Sequence, residues 1–547
     1  MMNKELSEYL FKDINTIPKD MEGKYPKRTL KENAMVTRLG PSPTGFIHIG
    51  NLYSAFICYV MAKQSDGVFY LRIEDTDSKR EVEGAADLII DALNSFDITY
   101  DEGYEKGGDY GPYKQSMRTS IYQTYVKSLI EQGLAYPCFM TEEELTQIRE
   151  EQEIEKLKIG IYGHYALDRN LSNEEVMTKI KQGEDYVIRL KSPGNNNTEI
   201  ELDDAVKGRI KMPENELDIV LLKKDGTPTY HLAHVIDDHL MRTTHVIRGD
   251  EWVSSFPVHY QLTNLLGFDL PVYAHIAPLT KKENGNVRKL SKRKDPEFAV
   301  SYYEATGIPV EAIHLYFATL SNTNFEEWYN ENPDKEIKDF TFTFDKMPVG
   351  GTLFDLEKLT SISKIYLSRL SAEEIYHNAL LFTKQFDPEY HELLTNNKER
   401  MIQFLNIEKD GPRPRKDIAT YHDIKTEFSY AIDSVFFETG FDELDKNDEY
   451  DTDLMEEYFK HFDETLSKDE WFEQAKEFAL KHGYTTPKEY KKNPDEFKGH
   501  IGNFCEMIRV SVTGRKQTPD LYSILVILGK ENILKRFELF KETLLKK

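Results

Sequence analysis

Residues 35 to 56 constrain this chain more than any other stretch. Met35 to Leu39 form a short extended run. Gly40, Pro41, Pro43 and Gly45 then punctuate so densely that neither a helix nor a strand ladder can continue. After Gly50, the apolar residues Leu52, Ala55, Phe56, Tyr59 and Val60 recur at helical spacing. Ser65-Asp66-Gly67 ends that helix, with Gly67 expected at the left-handed position past its last turn. A glycine-bearing turn between a strand and a helix N-terminus presents free N–H groups and the positive end of the helix dipole, worth roughly 0.3–1 kcal/mol for an anion. The turn has neither the GxxxxGK[ST] spacing of a P-loop nor the GxGxxG of a dinucleotide site. It carries His48-Ile49-Gly50-Asn51 instead, a histidine where the turn enters the helix. Taken alone, the same residues fit an ordinary glycine-rich turn with an incidental histidine.

The following strand, Val68 to Ile73, runs directly into Glu74-Asp75-Thr76-Asp77. Strand, helix, strand predicts a right-handed parallel crossover, and ligands of such sheets bind off the carboxyl ends of the strands. That places Arg38 near Glu74. A cation and carboxylates at one sheet edge suit a zwitterionic ligand, and equally a structural Arg–Glu pair. Further on, Asp218 to Lys223 reads as a buried strand. His231 and His234 stand at i, i+3, with Asp237, Asp238 and His239 close behind, a spacing open to a metal site. Lys289-Leu290-Ser291-Lys292-Arg293 follows a glycine-bearing loop and by itself reads as a solvated basic loop.

Taken together and in order, these strings resemble the class I aminoacyl-tRNA synthetases. Thr37-Arg38 through Gly50 is similar to the PSPTG…HIG form of the glutamyl branch, with Asn51 where histidine or a small residue is usual. Arg72 to Asp77 is the RIEDTD string of glutamyl enzymes, whereas glutaminyl enzymes end in a DDTNP-like sequence. Gly111 to Ser116 (GPYKQS) resembles the stretch leading to the domain that holds the tRNA acceptor end. Pro228 to Met241 resembles the segment that closes over the amino acid, with His234 where asparagine is common. His245 to Trp252 matches VIRG-[DE]-EW, and Lys289 to Arg293 resembles the KMSKS loop. The resemblance is strong over about residues 34 to 370.

The resemblance implies ligation of L-glutamate to tRNA(Glu). Glutamate attacks ATP to give a glutamyl-adenylate, and AMP and pyrophosphate are released. ATP is a substrate with Mg²⁺, and no side-chain nucleophile is required. His48, Lys289 and Lys292 are the implied catalytic residues. Arg38, Ser42, Glu74, Tyr230, His234 and Arg248 are the implied glutamate contacts. Gly45, His48, Gly50, Asn51, Glu251, Trp252 and Lys289 to Arg293 (Leu290, Ser291, Lys292) are implied to hold ATP. In the mostly helical C-terminal region, Arg413, Arg415, Lys416, Arg509, Arg515 and Lys516 form two basic islands, and the second resembles a tRNA-contacting segment. The expected architecture is a Rossmann-type α/β catalytic domain (34–115 and 216–285) with an inserted acceptor-stem domain (116–215). A KMSKS and stem-contact region (286–360) and an all-helical anticodon-binding region (361–547) follow it. Residues 1–33 read as a charged helical lead-in and linker.

Composition agrees with this reading. The 547 residues suffice for three to four domains. No apolar run near the start fits a signal peptide, and the longest apolar stretch, Leu521 to Leu528, is too short for a membrane span, so a cytoplasmic protein is expected. The net charge of −25 weighs against an indiscriminate polyanion binder and permits one with a confined basic patch. Cys58, Cys138 and Cys505 form no CxxC pair, and no structural zinc is expected in the insertion. A monomer is expected. Four rivals are a glutaminyl enzyme, a truncated paralogue acting on a tRNA base, a non-catalytic tRNA binder and a small-molecule nucleotidyltransferase. RIEDTD speaks against the first, and about 190 C-terminal residues against the second. The intact His48, Lys289 and Lys292 oppose the third, and the C-terminal half opposes the fourth.

Overall fold

The computed structural model describes residues 2–45, 47–77, 81–291, 294–442, 444 and 450–546. Lys292 and Arg293, together with residues 443 and 445–449 of the acidic run expected at the surface, lie outside the described residues. The chain divides into two compact units, Met1–Tyr302 with His314–Asp355, and Tyr303–Ile313 with Leu356–Lys547.

In the first unit, β1 (Val36–Leu39), β2 (Val68–Leu71) and β3 (Glu102–Gly103) pair in parallel, Val36 opposite Val68. All four residues of β1 are buried, as expected of a parallel strand covered on both faces. The crossover helix Ile49–Gln64 buries Leu52, Ala55, Phe56 and Val60, the spacing the sequence displays. Its end differs from expectation. Asp66, not Gly67, takes the left-handed conformation, at φ 53°. Gly67 is needed because a Cβ there would strike the Met35 backbone where β2 begins beside β1.

β4 (Ala135–Cys138), β5 (Val187–Leu190) and β8 (Val220–Leu222) make an antiparallel sheet, and the hairpin of β6 (Glu199–Asp204) and β7 (Gly208–Pro213), which falls between β5 and β8 in the chain, belongs to another. The buried strand expected at Asp218 to Lys223, in the second Rossmann half (216–285), is present as β8, but it pairs with β5 of the expected insertion. A three-residue apolar strand signals burial but not its partner, so sequence pattern cannot assign it to a sheet. β9 (His245–Gly249) and β10 (Val272–Ile276) are parallel, and Asp204 of β6 pairs with Tyr273 at the edge of β10. β9 lies beside β1, where the Thr244 N–H donates to the Val36 carbonyl at 3.0 Å and the Val36 N–H to Thr244 Oγ1 at 2.8 Å. The carboxyl ends of β1 and β9 thereby bring Arg38 and Arg248 to one edge. A hairpin, β11 (Leu279–Glu283) and β12 (Asn286–Lys289), ends on Lys289.

The helical lead-in expected at the start is present as Met2–Leu10, but the segment expected to be a linker packs into the core. Leu6, Phe11, Ile14, Met21 and Tyr25 enter one core with Tyr122, Tyr125 and Leu129. The Tyr25 hydroxyl donates to the Gly111 carbonyl at 3.0 Å, and Arg28 grips Glu102 through two hydrogen bonds of 2.6 and 2.8 Å. The high charge of the segment concealed its spaced apolar residues. Among the described residues, no helix is long and apolar enough to cross a membrane.

The second unit is built from helices, Leu356–Arg369 through Lys530–Lys546, around Phe404, Phe428, Tyr458, Phe504 and Phe537. It is not all-helical, because Tyr484–Thr485 pairs in parallel with Gly499–His500. The helix Ile501–Thr513 stops at Gly514, φ 72°, where a Cβ would collide with the Gly440 carbonyl oxygen. Gly514 lies inside the segment expected to contact tRNA, yet its identity is set by this close approach. Gly514→Ala is expected to destabilise the fold by roughly 1–3 kcal/mol. Calorimetry of the full chain checks this as a lowered transition temperature, while an unchanged transition temperature would contradict it.

Candidate active site

His48 caps the helix Ile49–Gln64. Its Nδ1 accepts from the Asn51 N–H at 3.2 Å, and Asn51 Oδ1 accepts from the His48 N–H at 3.4 Å. This reciprocal capping box gives Asn51 its role. The tetrapeptide occurs again as His500-Ile501-Gly502-Asn503, with the same reciprocal bonds at 3.2 and 3.0 Å. His-Ile-Gly-Asn therefore encodes the cap, and the surroundings of His48 must supply anything more. They do. His48, Gly50, Asn51, Glu251, Lys289 and Leu290 line one cavity of about 100 Å³. The Lys289 ammonium stands 3.8 Å from Glu251, and the His48 ring lies 4.4 Å from that of Phe298. Burial, then the nearby Lys289 charge, brings the His48 pKa down to about 4, so the ring is neutral near pH 7.

The basic loop is tied back on itself. Arg288 binds both oxygens of Asp295, at 2.7 and 2.8 Å, and the Ser291 N–H donates to the same carboxylate at 2.8 Å. Lys292 and Arg293, expected at the phosphates, lie outside the described residues. Ser42 is exposed, and Gly45 has a φ of 134°. Trp252, expected on the ATP side, packs on Tyr230 instead, with ring centroids 4.5 Å apart.

Next to this cavity lies a buried polar centre. Arg38 pairs with Asp238 at 3.1 Å and donates to the Ile247 carbonyl at 3.2 Å. Glu74 pairs with Arg72 at 2.8 Å, and Arg72 also holds Asp238 at 2.7 Å. The Arg38–Glu74 pair entertained from sequence is thus replaced by two other pairs. Arg248 donates to His275, His259 and the Trp252 carbonyl, at 2.9, 3.0 and 3.3 Å. A guanidinium has five N–H donors. On Arg248 three are assigned, leaving one on each terminal nitrogen; on Arg38 four are assigned, since its Nη2 also donates to His234 Nδ1 at 3.5 Å, leaving one on Nη1. His234 is fully buried against Tyr273, 3.3 Å away, and Asp238, 3.4 Å away. Burial, then Arg248 and Arg38, holds its pKa well below the usual range and settles it as neutral. Burial pushes Tyr230 in the other direction, up to about 12, against the opposing charge of Arg248.

The metal alternative does not survive. His231 Nδ1 is 3.0 Å from His259 Nε2 and His234 is enclosed by the arginine–aspartate pair. Among the described residues, no group of three or more His, Cys, Asp or Glu is placed to hold a metal ion. Cys138 is buried and accepts from Arg189 Nε at 3.3 Å. Sequence reasoning missed Arg72, Asp204, His259 and His275, and read Asp238 only as a metal candidate. One signal was available: Asp237 and Asp238 interrupt an otherwise apolar helix face of Leu232, Ala233, Val235, Ile236 and Leu240, where unpaired carboxylates would be costly.

In the second unit the basic islands divide. Arg413 and Lys416 are exposed. Arg415 donates to the carbonyls of Phe404 and Leu405, at 3.3 and 2.8 Å, and pairs with Asp417, so it braces its loop. Arg509 donates to the Lys516 carbonyl at 3.3 Å. Arg515 pairs with Glu427 at 3.1 Å and donates to the Thr426 carbonyl.

A sheet edge with a capped phosphate-type turn, a lysine hairpin and two guanidiniums has close counterparts. Residues 34–349 match the family described as tRNA synthetases class I (E and Q), catalytic domain, and residues 415–540 match an anticodon binding domain. The chain belongs to this class I synthetase family. The glutamate–tRNA ligase of Clostridium perfringens (strain SM101) is 46% identical, spanning 99% of this chain and 100% of its own length. That of Acetivibrio thermocellus is also 46% identical, over 98% of this chain and 99% of its own. The crystal structure of a glutamate tRNA ligase from Elizabethkingia meningosepticum, in complex with its amino acid, superposes with a TM-score of 0.73. It is 30% identical and covers 94% of this chain and 100% of the other.

The buried histidines make stability depend on pH. His48 and His231 have pKa values of about 4 in the folded chain, lowered by burial first and by Lys289 or Arg248 next. In the unfolded chain they titrate near 6.5. Between these values the unfolded state binds the extra protons, so stability is full above about pH 6.5 and is lost as pH falls toward 4. The unfolding temperature is expected to fall between pH 7.5 and pH 5, and His231→Asn should flatten that dependence. A pH-independent transition would contradict the assignment.

Proposed function

We propose that this chain ligates L-glutamate to tRNA(Glu) with ATP, through a glutamyl-adenylate, releasing AMP and pyrophosphate. The observation that carries this reading is the pairing of two halves at one sheet edge: a cavity holding a capped helix N-terminus and a lysine, and beside it two arginines that each retain an unassigned N–H donor. The glutamate α-carboxylate attacks the α-phosphate of ATP. Catalysis comes from alignment and charge neutralisation, since pre-paid orientation supplies up to about 7–11 kcal/mol. Neutral His48 and the N–H groups behind it hold ATP phosphate, with Gly45, Gly50, Asn51, Glu251, Leu290, Ser291 and Arg293 forming the site. Lys289 and Lys292 neutralise the departing pyrophosphate. Mg²⁺ accompanies ATP as part of that substrate. The acyl group then passes to the 2′-hydroxyl of the terminal ribose.

Arg38 and Arg248 receive the glutamate carboxylates, Glu74 receives the ammonium, and Ser42, Tyr230, His234 and Trp252 close the pocket. An amide in place of a carboxylate leaves a guanidinium N–H unpaired, costing about 1–3 kcal/mol or more. Glutamine is therefore refused. The insertion at 116–215 holds the tRNA acceptor end. Arg413, Lys416, Arg509, Arg515 and Lys516 face the anticodon arm, with Arg415 bracing the first island from within. The enzyme acts as a cytoplasmic monomer.

Charging of purified glutamate and glutamine isoacceptors with radiolabelled glutamate and glutamine tests this reading. Transfer of glutamate, and not of glutamine, to the glutamate isoacceptor is the expected outcome. Tight tRNA binding without charging would overturn it. Arg38→Ala is expected to reduce kcat/KM for glutamate by roughly a hundredfold, since a charged partner is lost. Near-normal turnover of that variant would remove Arg38 from the pocket.

A further inference from the structure

A guanidinium cannot accept a hydrogen bond, and around Arg248 this fixes the protonation of three histidines. Arg248 Nε–H donates to Nε2 of His275 at 2.9 Å, and an Nη1–H donates to Nδ1 of His259 at 3.0 Å. Both receiving nitrogens are therefore unprotonated. His275 keeps its proton on Nδ1, which donates to Asp204 Oδ2 at 2.6 Å. His259 keeps its proton on Nε2, which donates to Nδ1 of His231 at 3.0 Å. His231 in turn carries its proton on Nε2, at the half-exposed end of the chain beside Tyr230. Arg248, His259, His275 and Asp204 are all buried.

We infer that Asp204, His275 and His259 are positioning residues for Arg248, holding its guanidinium in one orientation so that one N–H on each terminal nitrogen is offered to a substrate carboxylate. The inference rests on the proposed role of Arg248 in binding glutamate. Asp204 is well suited to anchor the chain. Its Oδ1 accepts from the backbone N–H groups of Val206 and Lys207, at 3.0 and 2.8 Å, and its Oδ2 takes the backbone N–H of His275, at 3.1 Å, together with the ring Nδ1–H. Asp204 ends β6, so a strand of the inserted hairpin sets the angle of an arginine on β9 through a histidine on β10. The chain works only with neutral rings, because a second ring proton would point a donor at a donor. Burial, aided by the Arg248 charge, lowers the pKa of His275 and His259 and keeps them neutral.

Asp204→Asn tests the inference with little change of shape. The asparagine oxygen stays with the Val206 and Lys207 N–H groups, and its NH₂ then faces Nδ1 of His275 and the His275 backbone N–H. The imidazole must invert its tautomer and turn Nε2–H against Arg248 Nε–H. The expected result is a rise of roughly ten- to a hundredfold in KM for glutamate during tRNA charging, with KM for ATP unchanged. His275→Leu should behave alike. His275→Gln, which can place an amide oxygen where Nε2 stood, should recover most of the affinity. A merely structural network would instead shift both KM values together, or neither, and would overturn the inference. Arg248→Ala separates the two levels. No change in its KM for glutamate would refute the role of Arg248 itself, whereas a large rise there with silent Asp204→Asn and His275→Leu would refute only the positioning. Histidine ¹⁵N shifts of the wild-type protein decide the matter even if a variant fails to fold. His275 should be protonated on Nδ1, and His259 and His231 on Nε2; a proton on Nε2 of His275 would overturn the inference.

Discussion

The Asp238 carboxylate bridges Arg38 at 3.1 Å and Arg72 at 2.7 Å, and all three side chains are buried. Its neighbour Asp237 binds Arg118, Tyr122 and Gln115, at 2.7, 2.8 and 3.0 Å. Two successive residues of one helix thus tie down β1, β2 and the segment around residues 115 to 122. Buried charges of this kind are tolerated only when every one is paired, and removing a single partner typically costs about 3–5 kcal/mol. The arrangement is therefore cooperative. It also fixes where the remaining N–H group of Arg38 lies, which is what a carboxylate-binding site requires.

The ATP side depends on a different kind of constraint. The His-Ile-Gly-Asn cap forms wherever the tetrapeptide meets a strand-to-helix turn, as its second copy at His500 demonstrates. Only at His48 do Lys289 and Glu251 share the cavity. The His48 ring is pushed to about pH 4, chiefly by burial and then by Lys289, while at His500 the same residue is partly exposed. A local code builds both caps, and the environment sets one of them in a cavity beside a lysine.

Much of the fold was legible in advance because its signals are local. The strand and helix between residues 35 and 64 follow from residues a few positions apart. What escaped was pairing. The partner of β8, the packing of Leu6 to Tyr25 into the core and the exchange of Glu74 for Asp238 beside Arg38 all depend on segments remote in the chain. The interruption of an apolar helix by two aspartates was visible, but not which arginines they would meet.

The sequence by itself determined the motifs, their order and the family, because caps, turns and helical spacing are decided within a few residues of one another. It also determined that cations and carboxylates would gather at the end of a parallel sheet. Only the tertiary structure decided which of them pair. Arg38 and Asp238 are 200 residues apart, and Asp204 and His275 are 71 apart. Such partners are selected by competition among buried charges for the nearest opposite charge, and that competition exists only once the strands and helices have packed.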